Sequence, residues 1–171
     1  MVVTSRLFLR EDLIAERRRW RAQGKRVIFT NGCYDILHPG HIRLLEQARS
    51  LGDLLILALN TDSSVQRAKG PTRPFFDENQ RAALALQLEA VDAVSLFDED
   101  TPRELISAVL PDILVKGADW SHFIAGREEV EAAGGQVITI PMEPGFSTST
   151  IASKIIASKV PDVRESAVHS S

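Results

Sequence analysis

The 171-residue sequence contains one cysteine, one tyrosine and no long apolar run. The single cysteine, Cys33, excludes an internal disulfide and favours a reducing compartment. No stretch approaches the roughly 18 apolar residues of a membrane-spanning helix, and the N-terminus lacks the apolar core of a signal peptide. The net charge of −3 provides no overall basic field, so nucleic acid and anionic membranes are not expected partners. We therefore expect a cytoplasmic protein that binds small molecules.

Short apolar runs alternate with amphipathic segments along the chain. The apolar runs predict five buried strands, at 26–30, 53–60, 92–97, 112–117 and 136–141. Helical spacing predicts helices at 11–23, 41–52, 77–91, 101–110, 127–135 and 147–159. This alternation predicts a doubly wound, Rossmann-like α/β domain over residues 25–159, with a parallel sheet and helices on both faces. Residues 1–24 are expected to form an N-terminal helical extension, and residues 160–171 a flexible tail.

Two of the four histidines, His38 and His41, follow the first predicted strand in the run His-Pro-Gly-His. Pro39 suits the first turn of a helix, so both imidazoles are expected beside a helix N-terminus. Unpaired N–H groups and the helix dipole attract phosphate there, and imidazole N–H groups add further donors. Two capping histidines without a ligand, or a zinc pair, are the alternatives. Zinc-binding helical histidines usually come four residues apart with a third ligand, so a phosphate site is the preferred interpretation.

The run NGCYDILHPGHIRLLEQARSLGDLLILALNTD resembles the HxGH nucleotidyltransferase superfamily, whose hallmark is written here as His38-Pro39-Gly40-His41. The resemblance continues to about residue 156 and points to the D-glycero-β-D-manno-heptose 1-phosphate adenylyltransferases. It implies transfer of AMP from ATP to that sugar phosphate, giving ADP-heptose and pyrophosphate for lipopolysaccharide core synthesis. It also implies Mg²⁺ as a bridge between the ATP phosphates, with no dedicated protein ligand. Superfamily members commonly form dimers or larger assemblies, so a homo-oligomer is expected.

The resemblance also assigns roles to residues that follow the predicted strands. The catalytic residues are expected to hold the phosphates: His38, His41 and Lys69. The nucleotide is expected to contact Asn31, Gly32, Cys33, Tyr34, Gly40, Asn60, Asp62, Lys116, Gly117, Asp119, Trp120, Ser147, Thr148 and Ser149. The acceptor phosphate and sugar are expected to contact Asp35, Arg73 and Arg81.

Purely structural roles stay open for several of these residues. Lys69 and Arg73 could belong to a solvated surface loop, and Cys33 could be a small buried hydrophobe. Arg81 could be a helix-surface charge, Trp120 could pack without stacking on a base, and Asp35 could cap a turn. Two other functions also stay open. One is a CTP-dependent cytidylyltransferase of glycerol 3-phosphate or a related alcohol phosphate, although such enzymes usually carry arginine where this sequence has Met142. The other is a nucleotide-binding module without turnover.

Overall fold

A computed structural model describes residues 6–118, 123–142 and 144–158. Its strands are β1 (Leu7–Phe8), β2 (Val27–Gly32), β3 (Leu54–Asn60), β4 (Ala93–Phe97), β5 (Ile113–Gly117) and β6 (Gln136–Ile140). Its helices are α1 (Arg10–Ala22), α2 (Pro39–Arg49), α3 (Asp62–Lys69), α4 (Glu78–Ala85), α5 (Arg103–Val109), α6 (Arg127–Ala132) and α7 (Thr148–Ala157). None of the helices in the described residues is long and apolar enough to cross a membrane.

The strands form one parallel sheet in the order β1-β4-β3-β2-β5-β6. From β2 the chain proceeds to β3 and β4 on one side, and it then crosses over to β5 and β6 on the other side. The strand order therefore reverses between β2 and β5. In open parallel sheets, ligands bind beside the carboxyl ends of the strands at such a reversal.

Alternate residues of each strand pack into two cores, one on each face of the sheet. In β3, Leu55 and Leu57 pack with α2 and α4 on one face. Ile56 and Ala58 point to the other face, where Leu13 of α1 joins α5 and α6. The apolar runs are continuous because both faces of the sheet are covered. The structure thus confirms the predicted doubly wound α/β fold.

Three features differ from the sequence prediction. Helix α3 (Asp62–Lys69) forms where a Pro/Gly-rich loop was predicted, because its eight mostly polar residues show little apolar periodicity. The sheet has six strands rather than five, because β1 is only two residues long and too short for a periodic pattern. Residues 7–22 of the predicted N-terminal extension add this strand beside β4 and pack α1 on the sheet. The helix predicted at 77–91 ends at Ala85. Leu86 and Val91 are both buried in the same core, whereas a continuous helix would point them about 140° apart. The predicted tail lies outside the described residues.

Candidate functional site

The predicted site residues gather at the carboxyl ends of β2 and β5, where the strand order reverses. The Lys116 ammonium of β5 donates a hydrogen bond to the Asn31 carboxamide of β2 and so bridges this point. Gly32 ends β2, and a Cβ there would lie only 2.9 Å from Cε2 of Tyr34. Gly117 ends β5 and is buried. Asp119 and Trp120, predicted to contact the nucleotide, lie outside the described residues.

The helix α2 begins at the histidine pair, as the sequence predicts. His38 is the N-cap, and its Nδ1 accepts a hydrogen bond from the backbone N–H of His41 over 3.3 Å. Pro39 is the first helical residue, where its missing N–H costs nothing. Because Nδ1 of His38 is an acceptor, the neutral ring carries its proton on Nε2. The cap therefore leaves Nε2–H of His38 as a donor for a ligand.

The two imidazoles are stacked, with ring centroids 3.7 Å apart and planes inclined by 17°. Gly40 allows this packing, because a Cβ there would lie 3.1 Å from Nδ1 of His38. Burial, with a smaller contribution from the charge of His38, lowers the pKa of His41 to about 4. Burial also lowers the pKa of His38. Both rings are therefore neutral near pH 7 in the free protein.

Tyr34 packs against the histidine pair and has a strained backbone. Its φ angle is +46°, in the left-handed region that side chains other than glycine rarely adopt. The ring is buried with its centroid 4.6 Å from that of His41. Burial raises the pKa of the Tyr34 phenol, which also bonds the Thr30 side chain. In this structure Tyr34 thus packs against a predicted catalytic ring.

Cys33 and Asn60 contact each other at the ends of β2 and β3. The Cys33 thiol donates toward the carboxamide oxygen of Asn60 over 3.7 Å, and the Asn60 amide donates to the Ser64 hydroxyl over 3.0 Å. Burial raises the pKa of the Cys33 thiol, against the lowering effect of the nearby Lys69 charge. A protonated thiol is a poor nucleophile, so Cys33 contributes packing and a weak donor.

Asp35, predicted to contact the acceptor, is buried and fixes the segment after α3. Its carboxylate accepts hydrogen bonds from Nε of Arg73 at 2.5 Å and from the backbone N–H groups of Phe75 and Phe76 at 2.6 and 3.2 Å. The Arg73 guanidinium lies 4.7 Å from the Phe75 ring centroid. Its Nη2 is buried and has no hydrogen-bond partner among the described residues. Arg73 therefore retains a donor that a bound anion could use.

Arg81 and Asp62 form an ion pair of 2.7 Å beside this segment. Arg81 is fully buried, and all three of its nitrogens bond to protein acceptors. In the structure, Arg81 therefore bonds to protein groups, whereas the sequence predicts that it contacts a substrate phosphate. Asp62, predicted to contact the nucleotide, likewise faces Arg81. Lys69 ends α3 and is exposed, and its charge acts on both Cys33 and His41.

The second predicted phosphate contact is the start of α7. Ser147 is its N-cap, and the hydroxyl accepts a hydrogen bond from the backbone N–H of Thr150 over 3.0 Å. Thr148 and Ser149 form the first turn. Phe146, immediately before the cap, lies with its ring centroid 6.2 Å from that of His38. The α7 start and the α2 start therefore meet at the same place.

The sequence prediction missed the aromatic side chains around the site. Phe146 and the partly exposed Phe75 and Phe76 were not singled out, although each adjoins a predicted motif. A cleft of about 270 Å³ also opens beside the α2 start, lined by Gly40, Leu44, Pro141 and Met142 among others. The signal available in the sequence was the position of these phenylalanines directly beside the polar motifs.

The comparisons with known proteins agree with this geometry. The cytidylyltransferase-like family model matches residues 29–159. The protein named Bifunctional protein HldE from Azorhizobium caulinodans is 52% identical over 149 residues, which are 86% of this chain and 31% of that protein. Its counterpart of the same name from Methylobacillus flagellatus is 51% identical over 146 residues, or 85% of this chain and 30% of that one. This chain spans about a third of the length of these relatives.

A solved structure is also similar. The lipopolysaccharide core biosynthesis protein from Thermoplasma volcanium is 33% identical, with a TM-score of 0.58, over 70% of this chain and 98% of that chain. The family match covers most of the chain, from within β2 to the end of α7, and so includes the elements that form the site. The chain therefore belongs to the cytidylyltransferase-like family of nucleotidyltransferases.

Proposed function

We propose that this chain transfers AMP from ATP to D-glycero-β-D-manno-heptose 1-phosphate, giving ADP-heptose and pyrophosphate. The observation that carries the proposal is the stacked His38–His41 pair at the start of α2, beside the α7 start. Two helix N-termini that meet at one point suit a polyphosphate. The heptose acceptor is inferred from the sequence resemblance and from the lipopolysaccharide context of the structural relative.

In the proposed reaction, an oxygen of the sugar phosphate attacks the α-phosphorus of ATP. The new P–O bond forms as the bond to the β-phosphate oxygen breaks, and pyrophosphate leaves. The attacking phosphate is already anionic at neutral pH, so no general base is required. Nε2–H of His38 and the His41 ring would stabilise the α-phosphate as charge redistributes. Lys69 and the Ser147 helix start would hold the β and γ phosphates.

The acceptor phosphate is proposed to bind near Arg73. This guanidinium is fixed by Asp35 through Nε and keeps Nη2 without a protein partner among the described residues. A buried unpaired donor is costly, and an anionic acceptor would satisfy it. Mg²⁺ bound to the ATP phosphates would neutralise part of their charge. The ion is proposed to bind mainly through substrate oxygens and water.

Pyrophosphate release tests the proposal. ATP or CTP is offered with the heptose 1-phosphate or with glycerol 3-phosphate, in four combinations. We expect release only with ATP plus the heptose. Release that depends on CTP and glycerol 3-phosphate would instead identify a cytidylyltransferase, and nucleotide binding without release in any combination would identify a non-catalytic module.

A further inference from the structure

Arg81 connects three segments that form the site. Its Nη1 donates to the carbonyl of Cys33 over 2.8 Å, its Nη2 to Asp62 over 2.7 Å, and its Nε to the carbonyl of Phe76 over 3.0 Å. These acceptors follow β2, follow β3 and precede α4, respectively. The side chain itself is on α4 and has no exposed surface. Arg81 therefore joins the ends of two strands to the segment that contains Arg73.

The bond to Cys33 acts on the strained residue of the site. The Cys33 carbonyl belongs to the peptide plane that precedes Tyr34, so its direction is linked to the φ angle of Tyr34, which is +46°. A residue with a side chain in this region costs about 1–3 kcal/mol and persists only when its surroundings hold it. Arg81 supplies a charged donor to that peptide plane. The Tyr34 ring, held in this way, packs against His41.

We propose that Arg81 is a positioning residue: through the Cys33–Tyr34 peptide it places the Tyr34 ring against His41, and it does not bind the acceptor phosphate. A lysine in its place keeps the charge but concentrates its donors on one nitrogen, which cannot reach three separated acceptors. The kinetic part of this proposal rests on the proposed function, whereas the part that concerns Tyr34 does not.

The first test uses Tyr34, which is the only tyrosine of the chain. With tyrosine labelled by carbon-13, one ring reports on the site in the folded protein without substrate. In Arg81→Lys we expect the ring resonances of Tyr34 to shift or broaden relative to the unsubstituted protein. The matched control is Arg17→Lys. Arg17 is also buried and ion-paired, with Asp112 at 3.0 Å. This pair lies at the amino ends of the strands, opposite to the site. This control should leave the Tyr34 signals unchanged. Unchanged Tyr34 signals in Arg81→Lys would overturn the proposal.

The second test separates positioning from direct binding by pyrophosphate release. Misplaced catalytic groups should lower kcat by about 10- to 100-fold in Arg81→Lys, with the KM for the acceptor changed less than about 3-fold. Arg17→Lys should keep the wild-type kcat. A KM for the acceptor that rises at least about 10-fold while kcat is kept would mean that Arg81 acts at the acceptor site, directly or through the Arg73 segment, and not through Tyr34, and would overturn the proposal.

Asp62→Asn provides a second variant if Arg81→Lys does not fold. It keeps an oxygen acceptor but removes the charge that orients Nη2 of Arg81, and the Asp62 side chain is one-third exposed. We expect smaller changes of the same kind in the Tyr34 signals, and their absence would contradict the proposal. If the unsubstituted protein releases no pyrophosphate, the proposed function fails, while the Tyr34 signals still decide whether Arg81 positions the site.

Discussion

The sheet has an amino edge, formed by the amino ends of its parallel strands, and a carboxyl edge, formed by their carboxyl ends. The two differ in what their polar groups contact. At the amino edge, aspartates that precede strands accept hydrogen bonds from backbone N–H groups of neighbouring strands. The three pairs are Asp53 with Arg26 at 2.7 Å, Asp92 with Leu55 at 2.8 Å and Asp112 with Val27 at 2.7 Å. Asp112 also pairs with the buried Arg17. These bonds satisfy three backbone N–H groups of this edge, which stabilises the fold.

The two edges share unfavourable features, and the carboxyl edge adds a stacked histidine pair. Tyr34 at the carboxyl edge and Leu110 at the amino edge both have left-handed backbones. Each edge also has one buried guanidinium nitrogen without a protein partner among the described residues, Nη2 of Arg73 and Nη1 of Arg17. At the carboxyl edge, burial lowers the pKa of His41 to about 4. The left-handed residues and the unpaired nitrogens cost stability in the free protein, and the lowered pKa of His41 costs stability where the unfolded chain is protonated, below about pH 6.5. The edges differ in their polar side chains: aspartates bonded to backbone N–H groups at the amino edge, and the stacked histidines at the carboxyl edge, where we propose that the ligand binds.

The largest predicted effect is that of His41→Ala on catalysis. Loss of one preorganised donor typically lowers the rate by about 10²–10³, and we expect at least this loss in kcat for pyrophosphate release. Thermal unfolding should show that the variant remains folded, because the His41 ring is partly exposed and its loss removes little core packing. Turnover equal to that of the unsubstituted protein would show that His41 does not contact the reacting phosphate.

At the amino edge, Asp112→Ala should affect stability and not kcat. The substitution leaves the Arg17 charge buried without its carboxylate and the Val27 N–H without its acceptor. We expect a loss of about 3 kcal/mol in the free energy of unfolding, measured by urea denaturation. Asp53→Ala is the matched control, since its carboxylate accepts from the Arg26 N–H without a buried partner charge, and it should cost about 1 kcal/mol. Equal losses in the two variants would contradict the role given to the Arg17 pair.

The pH dependence of the free energy of unfolding should show how strongly the fold disfavours protonation of His41. The unfolded chain binds a proton at this residue near pH 6.5, whereas the folded protein does so only near pH 4. Between these values the unfolded state holds more protons, so the free energy of unfolding falls as the pH falls. Relative to His41→Gln, the unsubstituted protein should lose about 2 kcal/mol between pH 7 and pH 5.

Urea denaturation across this pH range measures that difference. Arg17→Lys, at the amino edge, should keep the pH dependence of the unsubstituted protein. A His41→Gln variant whose stability follows the same pH curve as the unsubstituted protein would show that His41 titrates normally in the fold.

The smallest predicted effect is that of Ser147→Ala on nucleotide affinity. The Ser147 hydroxyl caps α7 through the Thr150 N–H, and loss of such a cap costs about 1 kcal/mol. A less ordered α7 start should raise the KM for ATP about 5-fold, with kcat changed less. Ser107→Ala on α5, whose hydroxyl bonds the Arg103 carbonyl, should leave the KM for ATP unchanged. An unchanged KM for ATP in Ser147→Ala would show that the α7 start does not hold the triphosphate.

The fold was predictable because buried parallel strands are continuous apolar runs. The site was predictable where a residue type and its place after a strand determine its local role, as for His38 at an N-cap. What could not be predicted depends on contacts between distant segments. Sequence spacing does not show that Asp35 meets Arg73 or that Arg81 reaches the Cys33 carbonyl. For the same reason, nothing in the sequence distinguished an arginine that faces a ligand from one that joins three segments.

The central claim is that chemistry belongs to the carboxyl edge and stability to the amino edge. Its most direct test is kcat for pyrophosphate release from ATP and heptose 1-phosphate, measured for His41→Ala and Asp112→Ala at a temperature at which both are folded. We predict a loss of at least about 10²-fold for His41→Ala and a kcat near that of the unsubstituted protein for Asp112→Ala. Equal losses in both variants, or full turnover in His41→Ala, would contradict the claim.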